Sequence, residues 1–398
     1  MHSTYIFVAL KETFMNFEYT EEQLSIKQAA RDFAINECLP GVIERDEQQK
    51  FPNDQIMMLA DLGFMGMMID PAYGGCGIDT VSYVLAMEEI CKVDASVGVI
   101  MSVNNSLVTM GLQLFGTEEQ KQTFLVPLAQ GKKDGKLCIG AFLLSEPEAG
   151  SDATAQKTTA EDMGDYYLLN GTKNWITNGS TASVYMVIAQ SNSAKGANGL
   201  NWLIVDRFSE GVEVAPKENK MGVRGSDTCT IHFNNVKVPK QNRLGNEGEG
   251  FKLAMKTLGG GRIGIASQAL GIASGAYERA LQYSKDRQSF KQPLFNHQAI
   301  QFKLSDMATR IEAARLLCIK AAMEKDAGKD YTQSASMAKL YASETAMWVT
   351  TEAVQIHGGY GYVKEYHVER MMRDAKITQI YEGTSEVQRI VIGRSVLK

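Results

Sequence analysis

The chain contains 398 residues, of which 44% are hydrophobic and 22% are charged, as is usual for a folded globular protein. This length exceeds what one hydrophobic core normally serves, so we expect two or three domains. The formal net charge is −5 and no dense run of Lys or Arg occurs, which argues against nucleic acids and anionic membranes as partners.

The first 14 residues carry no feature on which a function can be based. Residues 5–10 are apolar, but the run is too short to cross a membrane and no small-residue cleavage site follows it. No apolar run elsewhere is expected to reach the length of about 18–20 residues that a membrane span needs.

Residues 15–134 are predicted to form an all-α N-terminal domain. Thr20 has the side chain of a helix N-cap, and the acidic Glu21 and Glu22 suit a first helical turn. Helical apolar periodicity continues beyond this first helix. The further predicted helices cover 54–62, 80–93, 95–115 and 117–129.

Residues 135–250 are predicted to form a β-barrel or β-sandwich domain. The Asn170-Gly171 pair between apolar runs predicts a hairpin turn, because both residue types tolerate the positive φ of a tight turn. Short β-branched or alternating runs bounded by Gly, Asn and Pro are typical of strands. Such runs cover 183–190, 200–205, 211–215 and 228–238.

Residues 251–398 are predicted to form a C-terminal four-helix bundle, which makes the whole chain an α+β multidomain protein. Apolar stripes at helical spacing run from Ala266 to Ala280 and from Ala338 to Ile356. We interpret both as core packing between closely spaced helices. The glycine-rich stretch 258–261, which we interpret as a loop, has the spacing of neither a P-loop nor a dinucleotide fingerprint.

The cysteines and histidines predict neither disulfides nor a metal site. The six cysteines stand apart with no Cys-x-x-Cys pair, which fits a reducing compartment, so we expect a cytoplasmic protein. The five histidines show no metal-ligand spacing, and no metal is expected.

Glu382 is the candidate catalytic base. It follows the apolar and aromatic Ile380 and Tyr381 and precedes Gly383. An apolar environment raises the pKa of a carboxylate and a glycine lets a substrate approach the backbone, so such a residue can remove a proton α to a thioester carbonyl. Taken alone, the pattern also fits a solvated residue at a helix start.

The rest of the chain supports the catalytic interpretation. Nine short motifs occur in order: LGFMG at 62–66, PAYGG at 71–75, LSEPEAGSD at 144–152, NGTKNWITN at 170–178, RGS at 224–226, GRIGIASQ at 261–268, RQSF at 287–290, QIHGGYGY at 355–362 and IYEGTSE at 380–386. Together they resemble the acyl-CoA dehydrogenase family. The resemblance implies a helical, a β and a helical-bundle domain, and an enzyme that uses FAD.

In this family FAD lies between the β-domain and the bundle, and a neighbouring subunit completes its site. Aromatic faces, hydroxyls and backbone groups suit the flavin ring, and an arginine suits a diphosphate. A shared site requires an oligomer, which we expect to be a homotetramer. The matching positions are Phe142, Leu144, Ser145, Gly150, Ser151, Trp175, Ile176, Thr177, Thr384, Ser385 and Glu386, with Arg287, Phe290, Gln298, Gln355, Ile356, His357, Gly358 and Gly359 reaching a neighbour's cofactor.

The resemblance also implies the reaction. Glu382 removes the pro-R α-proton of an acyl-CoA while the β-hydrogen leaves as hydride to flavin N5, which yields the trans-2-enoyl-CoA. The backbone N–H of Glu382 and a ribityl hydroxyl polarise the thioester carbonyl, and the electrons pass to an electron-transfer flavoprotein. The positions that match substrate contacts are Ser151, Gly261, Arg262, Gln268, Thr378 and Gly383.

Two comparisons within the family favour a short acyl substrate. Some branched-chain and long-chain members carry their base at the position of Gly261, which leaves Glu382 as the matching base in this chain. Gln268 and Thr378 match residues that shorten the acyl cavity. The closest resemblance is therefore to the short-chain, butyryl-CoA dehydrogenases.

Gly259 departs from the family pattern. An Asp often stands at this position and helps to hold the pantetheine arm of CoA. Loss of a charged hydrogen bond is expected to weaken binding by about 1.5–3 kcal/mol unless another group replaces it. The alternatives to the main interpretation are a short branched-chain dehydrogenase, an oxidase of similar fold, and a non-catalytic scaffold that binds FAD or CoA.

Overall fold

In the computed structural model, which describes residues 18–397, helices are followed by strands and then again by helices. This order confirms the predicted fold class. The predictions made for residues 1–14, and the start of the N-terminal domain at residue 15, lie outside the described residues.

The N-terminal part is helical, with π-helical turns inside several helices. Thr20 caps the first helix as predicted: its hydroxyl accepts a hydrogen bond from the Gln23 N–H, and the Gln23 side chain accepts one from the Thr20 N–H. The helices are α1 Glu21–Phe33, α2 Val42–Gln48, α3 Asn53–Asp61, α4 Thr80–Cys91, α5 Ala95–Ser102, α6 Met110–Phe115, α7 Glu118–Gln120 and α8 Val126–Gln130.

α5, a π-helical turn and α6 form one continuous helix, Ala95–Phe115, which we call the central helix. The prediction that no apolar run reaches membrane-spanning length is wrong here, because this 21-residue helix is long and apolar enough by composition. Its apolar window is wholly buried inside the protein. The side chain of Asn104 donates to the carbonyls of Met65 and Leu128 and accepts from the Gly140 N–H, so the helix is tied to its surroundings.

The middle of the chain forms an eight-stranded sheet in the order β10-β7-β6-β4-β5-β9-β8, with β3 pairing parallel to β6. Two further pairs, β1 with β2 and β11 with β12, are separate hairpins. The strands are β1 Lys132–Lys133, β2 Lys136–Leu137, β3 Gly140–Leu143, β4 Thr159–Asp162, β5 Tyr166–Thr177, β6 Val184–Gln190, β7 Leu200–Asp206, β8 Val212–Val214, β9 Thr228–Pro239, β10 Arg243–Leu244, β11 Gln288–Ser289 and β12 Gln292–Pro293.

The predicted hairpin turn at Asn170-Gly171 is wrong. Both residues lie inside β5, and the pairing register with β9 shifts between Leu169 and Gly171, which marks a β-bulge. Gly171 has a φ of 142°, and a Cβ there would lie 2.6 Å from the Thr158 Cα. The glycine therefore permits close packing inside the sheet, where the sequence pattern indicated a turn.

The C-terminal part is a bundle of long helices: α9 Gly250–Asp286, α10 Gln298–Asp326, α11 Thr332–His357, α12 Val368–Ile377 and α13 Ser385–Val396. Both apolar stripes are buried in its core, as predicted from their spacing. The stretch Leu258 to Gly261 is helical and lies inside α9, so its interpretation as a loop is wrong.

Glycines let α9 pack directly against α4 of the N-terminal part. A Cβ at Gly271 would lie 2.5 Å from the Glu88 carbonyl oxygen, and one at Gly275 would lie 2.3 Å from the Lys92 carbonyl oxygen. No side chain fits at these distances, so the two backbones are in contact. We call this contact the α4–α9 seam.

We predict that Gly271→Ala destabilises the protein by about 1–3 kcal/mol, because the added methyl overpacks the seam. Gly260→Ala on the same helix is the matched control, since its nearest neighbour would be the Ser106 carbonyl oxygen at 3.9 Å. Alanine is the better helix former, so the control should be neutral or stabilised. Thermal unfolding followed by circular dichroism checks this, and equal shifts in the two variants would contradict the seam.

Candidate active site

A cavity opens between the sheet and the bundle, and we call it the central cavity. It encloses about 1000 Å³, part of which is open solvent. Its lining comes from the central helix, the loop after β3, the end of β5, the start of α9 and the turn before α13. The lining residues are Val99, Val103, Leu107, Phe142, Leu144, Ser145, Gly150, Ser151, Ala153, Asn174, Trp175, Ile176, Thr177, Met255, Leu258, Arg262, Ile265, Tyr381, Glu382, Gly383 and Val387.

A buried lysine holds the loop after β3 against the sheet. The fully buried Lys173 of β5 donates from Nζ to the Leu144 carbonyl at 3.0 Å, to Glu146 Oε1 at 2.8 Å and to Gln156 Oε1 at 2.9 Å. Glu146 also accepts from the Thr158 N–H. Burial lowers the pKa of Lys173 to about 8, and the Glu146 carboxylate opposes that shift. The ion pair thus fixes one wall of the central cavity.

The same wall presents an aromatic surface with polar groups around it. Trp175 is 61% exposed and has a φ of 62°. Its backbone N–H donates a hydrogen bond to the Asn174 Oδ1 at 3.0 Å. An exposed indole beside hydroxyls is suited to cover a planar, hydrogen-bonding ring. Ser145, Ser151 and Thr177 supply hydroxyls in the same lining. These residues fit the isoalloxazine ring of FAD.

Glu382 lines the central cavity with a strained backbone and an unsatisfied carboxylate. Its φ is 55°, and its Oε2 atom is shielded from solvent without a hydrogen-bond partner among the described residues. Burial raises the pKa of Glu382 to about 7, while the charges of Arg262 and Lys339 act in the opposite direction. A carboxylate in this state is poised to accept a proton near neutral pH.

Gly261 makes room for this carboxylate. A Cβ at position 261 would lie 2.8 Å from Glu382 Oε2 and 2.9 Å from Leu107 Cδ2. The glycine is therefore needed where the side chain of Glu382 passes α9. The sequence identified Gly261 as a position without a base, and the structure adds this steric role.

Two polar side chains that were not predicted from the sequence, Gln388 and Lys339, form hydrogen bonds to the backbone at and beside Glu382. The Gln388 Nε2 donates to the carbonyls of Glu382 at 3.0 Å and Gly383 at 2.9 Å, and the Lys339 Nζ donates to the Gly383 carbonyl at 2.7 Å. We call Glu382 and Gly383 the catalytic turn. Lys339 is fully buried and follows Ala338 of a buried apolar stripe. A charged residue at such a position is unusual, and this could have identified Lys339 from the sequence as a candidate functional residue.

Gln268 and Thr378 are fully buried but do not belong to the cavity lining. The Gln268 Oε1 accepts from the Tyr381 hydroxyl, and its Nε2 donates to the Ala95 carbonyl at 2.9 Å. The Thr378 hydroxyl donates to the Ala375 carbonyl at 2.7 Å. Gln268 therefore lies behind Tyr381, which does line the cavity, and can act on the cavity by holding this ring in place.

The remaining FAD positions do not belong to the lining of the central cavity. Thr384, Ser385 and Glu386 begin α13, where the Thr384 hydroxyl caps the helix. Phe290 is 92% exposed, and the Arg287 guanidinium lies 5.4 Å from the ring centre of Tyr360. The positions near the β11–β12 hairpin and the end of α11 form a second group, in which Ile356 and His357 are buried and the others are exposed: Arg287, Phe290, Gln298, Gln355, Gly358 and Gly359.

No set of three or more His, Cys, Asp or Glu side chains that could hold a metal occurs within residues 18–397. The six cysteines are free, and all except Cys76 are buried. The buried thiols serve as core side chains.

Comparison with known proteins places all three parts of the chain in one group. Residues 20–132 match the acyl-CoA dehydrogenase N-terminal domain, residues 141–236 match the middle domain and residues 248–397 match the C-terminal domain. These matches follow the helical, β and helical parts of the structure.

Individual relatives cover nearly the whole chain. The short-chain specific acyl-CoA dehydrogenase of Clostridium acetobutylicum is 47% identical over 384 residues, which are 96% of this chain and 100% of that protein. The butyryl-CoA dehydrogenase structure from Megasphaera elsdenii is 48% identical with a TM-score of 0.94, covering 96% of this chain and 100% of that one. The caffeyl-CoA reductase–Etf complex subunit CarC of Acetobacterium woodii is 47% identical over 381 residues, with 96% and 99% covered. On these matches, the chain belongs to the acyl-CoA dehydrogenase family.

Proposed function

We propose that this protein converts short-chain acyl-CoA thioesters to trans-2-enoyl-CoA, using FAD, and that its electrons pass to an electron-transfer flavoprotein. The observation that carries the proposal is the Glu382 carboxylate, which is shielded from water, unpaired at Oε2 and has a pKa near 7. The short-chain and Etf-associated names of the relatives support the choice of substrate and acceptor.

The residues of this chain prepare and stabilise the loss of a proton. Glu382 removes the α-proton, and the free Oε2 provides the accepting lone pair. Arg262 lies close enough for its charge to favour the ionised form of Glu382 before the reaction. The backbone N–H of Glu382 polarises the thioester carbonyl, where negative charge develops. Bound FAD supplies the acceptor for the β-hydrogen, which leaves as hydride.

The acyl chain is proposed to lie along the apolar part of the lining. Val99, Val103 and Leu107 of the central helix provide this surface. Tyr381 faces the same cavity and is held by Gln268. A fixed aromatic ring suits a cavity of limited depth, because it cannot move aside for a longer chain.

The FAD site is proposed to be completed by a second copy of the chain in a homotetramer. Arg287 and Phe290 are exposed groups that suit the diphosphate and adenine of a neighbour's cofactor. Gly358, with a φ of 61°, has open space around its Cα, which allows close backbone approach.

The boundaries at residues 134 and 250 are likewise proposed as domain limits, and a cytoplasmic location is proposed from the separate thiols.

Glu382→Gln should lower the rate of flavin reduction by butyryl-CoA by about 10²–10⁴-fold, since the amide cannot accept the proton. FAD content and butyryl-CoA binding should change little, because the two side chains are nearly isosteric. Stopped-flow absorbance measures the rate, with Glu161→Gln on the exposed face of β4 as the control. Reduction of the Glu382 variant at the wild-type rate would rule out this base.

The pH dependence of kcat/KM should follow the ionisation of the Glu382 carboxylate in the enzyme without bound substrate. Below a pH of about 7 the Glu382 carboxylate is protonated and inactive, so kcat/KM should rise about tenfold per pH unit and level off above that point. Steady-state assays with butyryl-CoA between pH 5.5 and 8.5 check the sign and the midpoint. An activity that falls as the pH rises through 7 would contradict the assignment.

Activity should peak near butyryl-CoA and fall steeply by octanoyl-CoA. The double change Gln268→Gly with Thr378→Ala removes the hydrogen bond from Tyr381 to Gln268 and shortens two buried side chains. It should move the optimum to longer chains, where each extra buried methylene contributes about 0.8 kcal/mol. Values of kcat/KM for butyryl-, isobutyryl-, hexanoyl- and octanoyl-CoA in both proteins test this. An unchanged profile in the double variant would show that these positions do not set the depth, and a preference for isobutyryl-CoA would favour a branched substrate.

A further inference from the structure

Lys339 is a buried ammonium group in an unusual setting. Its side chain has no solvent exposure, yet its Nζ contacts a backbone carbonyl, that of Gly383 at 2.7 Å. No carboxylate of residues 18–397 lies within 4 Å of this Nζ as an ion-pair partner. Burial of an unpaired charge reduces the free energy of unfolding. Packing alone therefore does not explain a lysine at position 339.

The group that Lys339 contacts is part of a strained turn. Glu382 and Gly383 have consecutive positive φ angles of 55° and 88°. Such a conformation is unfavourable for a glutamate and persists where surrounding bonds fix it. The Gly383 carbonyl accepts from both Lys339 and Gln388, and the Glu382 carbonyl accepts from Gln388.

We propose that Lys339 and Gln388 form a clamp on the catalytic turn, in which Lys339 is a positioning residue that also brings a positive charge near Glu382. Gln388 contributes hydrogen bonds alone, whereas Lys339 contributes a hydrogen bond and a positive charge. The clamp fixes the direction of the Glu382 side chain into the central cavity. The inference rests on the proposed function.

Several charged and titratable groups lie near the Glu382 carboxylate and affect its pKa. Arg262 of α9 and Lys339 of α11 both favour the carboxylate, against the burial that raises the pKa of Glu382 to about 7. The phenols of Tyr83 and Tyr381 also lie near this carboxylate. Burial lowers the pKa of Lys339 to about 8, and Glu382 opposes this shift, so each group supports the charge of the other.

Removal of Lys339 and removal of Gln388 are expected to have different effects, because only Lys339 carries a charge. Without the Lys339 charge, Glu382 loses one of two favourable neighbours and should hold its proton to higher pH. Without the Gln388 donor, the turn should be less well fixed while the charge near Glu382 is unchanged. A purely structural lysine would affect stability and leave the midpoint of the pH profile in place.

The test compares Lys339→Met, Lys339→Gln and Gln388→Met in the FAD-bound protein. The rate of flavin reduction by butyryl-CoA is measured against pH, together with FAD content and butyryl-CoA binding. Both Lys339 variants should move the midpoint upward by about one pH unit, which means about tenfold less active base at pH 6. Gln388→Met should lower the limiting rate at high pH with an unmoved midpoint.

Lys325→Met is the matched control. Lys325 of α10 is a partly buried lysine whose Nζ donates to the Thr80 hydroxyl at 3.1 Å and makes no contact with the catalytic turn. This variant should keep the wild-type midpoint. Infrared difference spectra of the Glu382 carboxyl, identified by its loss in Glu382→Gln, give a second measure of the same midpoint without turnover.

An unmoved midpoint in both Lys339 variants, by rate and by infrared titration, would overturn the clamp. If Lys339→Met fails to retain FAD, the Lys339→Gln variant and the infrared titration decide the question. A wild-type protein whose flavin is not reduced by butyryl-CoA would instead overturn the proposed function, so the two failures can be told apart.

Discussion

The active site depends on keeping one carboxylate out of water. Glu382 is ionisable near neutral pH because burial is balanced by two nearby positive charges. Without the charges of Arg262 and Lys339, burial would raise the pKa of Glu382 further, whereas full solvation would lower this pKa and make the carboxylate a weaker base. The glycine at position 261 and the hydrogen-bonded turn at Glu382 and Gly383 are the structural conditions for this balance.

The two proposed halves of the FAD site differ in how complete they are within one chain. The flavin side is a formed cavity whose wall is fixed by the Lys173–Glu146 ion pair. The other surface carries Phe290 and Arg287 in exposed positions, and neither residue lines the central cavity. Exposed aromatic and guanidinium groups of this kind are characteristic of surfaces that another molecule covers.

The sequence predicted those features that follow from local or periodic patterns. The Thr20 cap and the buried alanine stripes could be read in this way. Glu382, which lines the central cavity, was identified through the family resemblance, because its local pattern also fits a solvated residue at a helix start. The predictions of a turn at Asn170-Gly171 and of a loop at 258–261 were wrong for different reasons. Sheet pairing overrides the local turn preference of Asn170-Gly171, and helix packing overrides that of the glycines at 259–261. The position of Lys339 beside a buried apolar stripe indicated burial, but its contact with Gly383 joins residues that are 44 positions apart and could not be predicted from the local pattern.

The α4–α9 seam has a consequence for how substrate range can change. Two helices in backbone contact cannot slide or separate without losing that contact, so the N-terminal part and the bundle form a stiff frame around the cavity. Moving these two parts apart to admit larger acyl groups would break this backbone contact. New specificity in this scaffold has to arise by exchanging side chains such as Tyr381, one position at a time, inside a frame of constant dimensions.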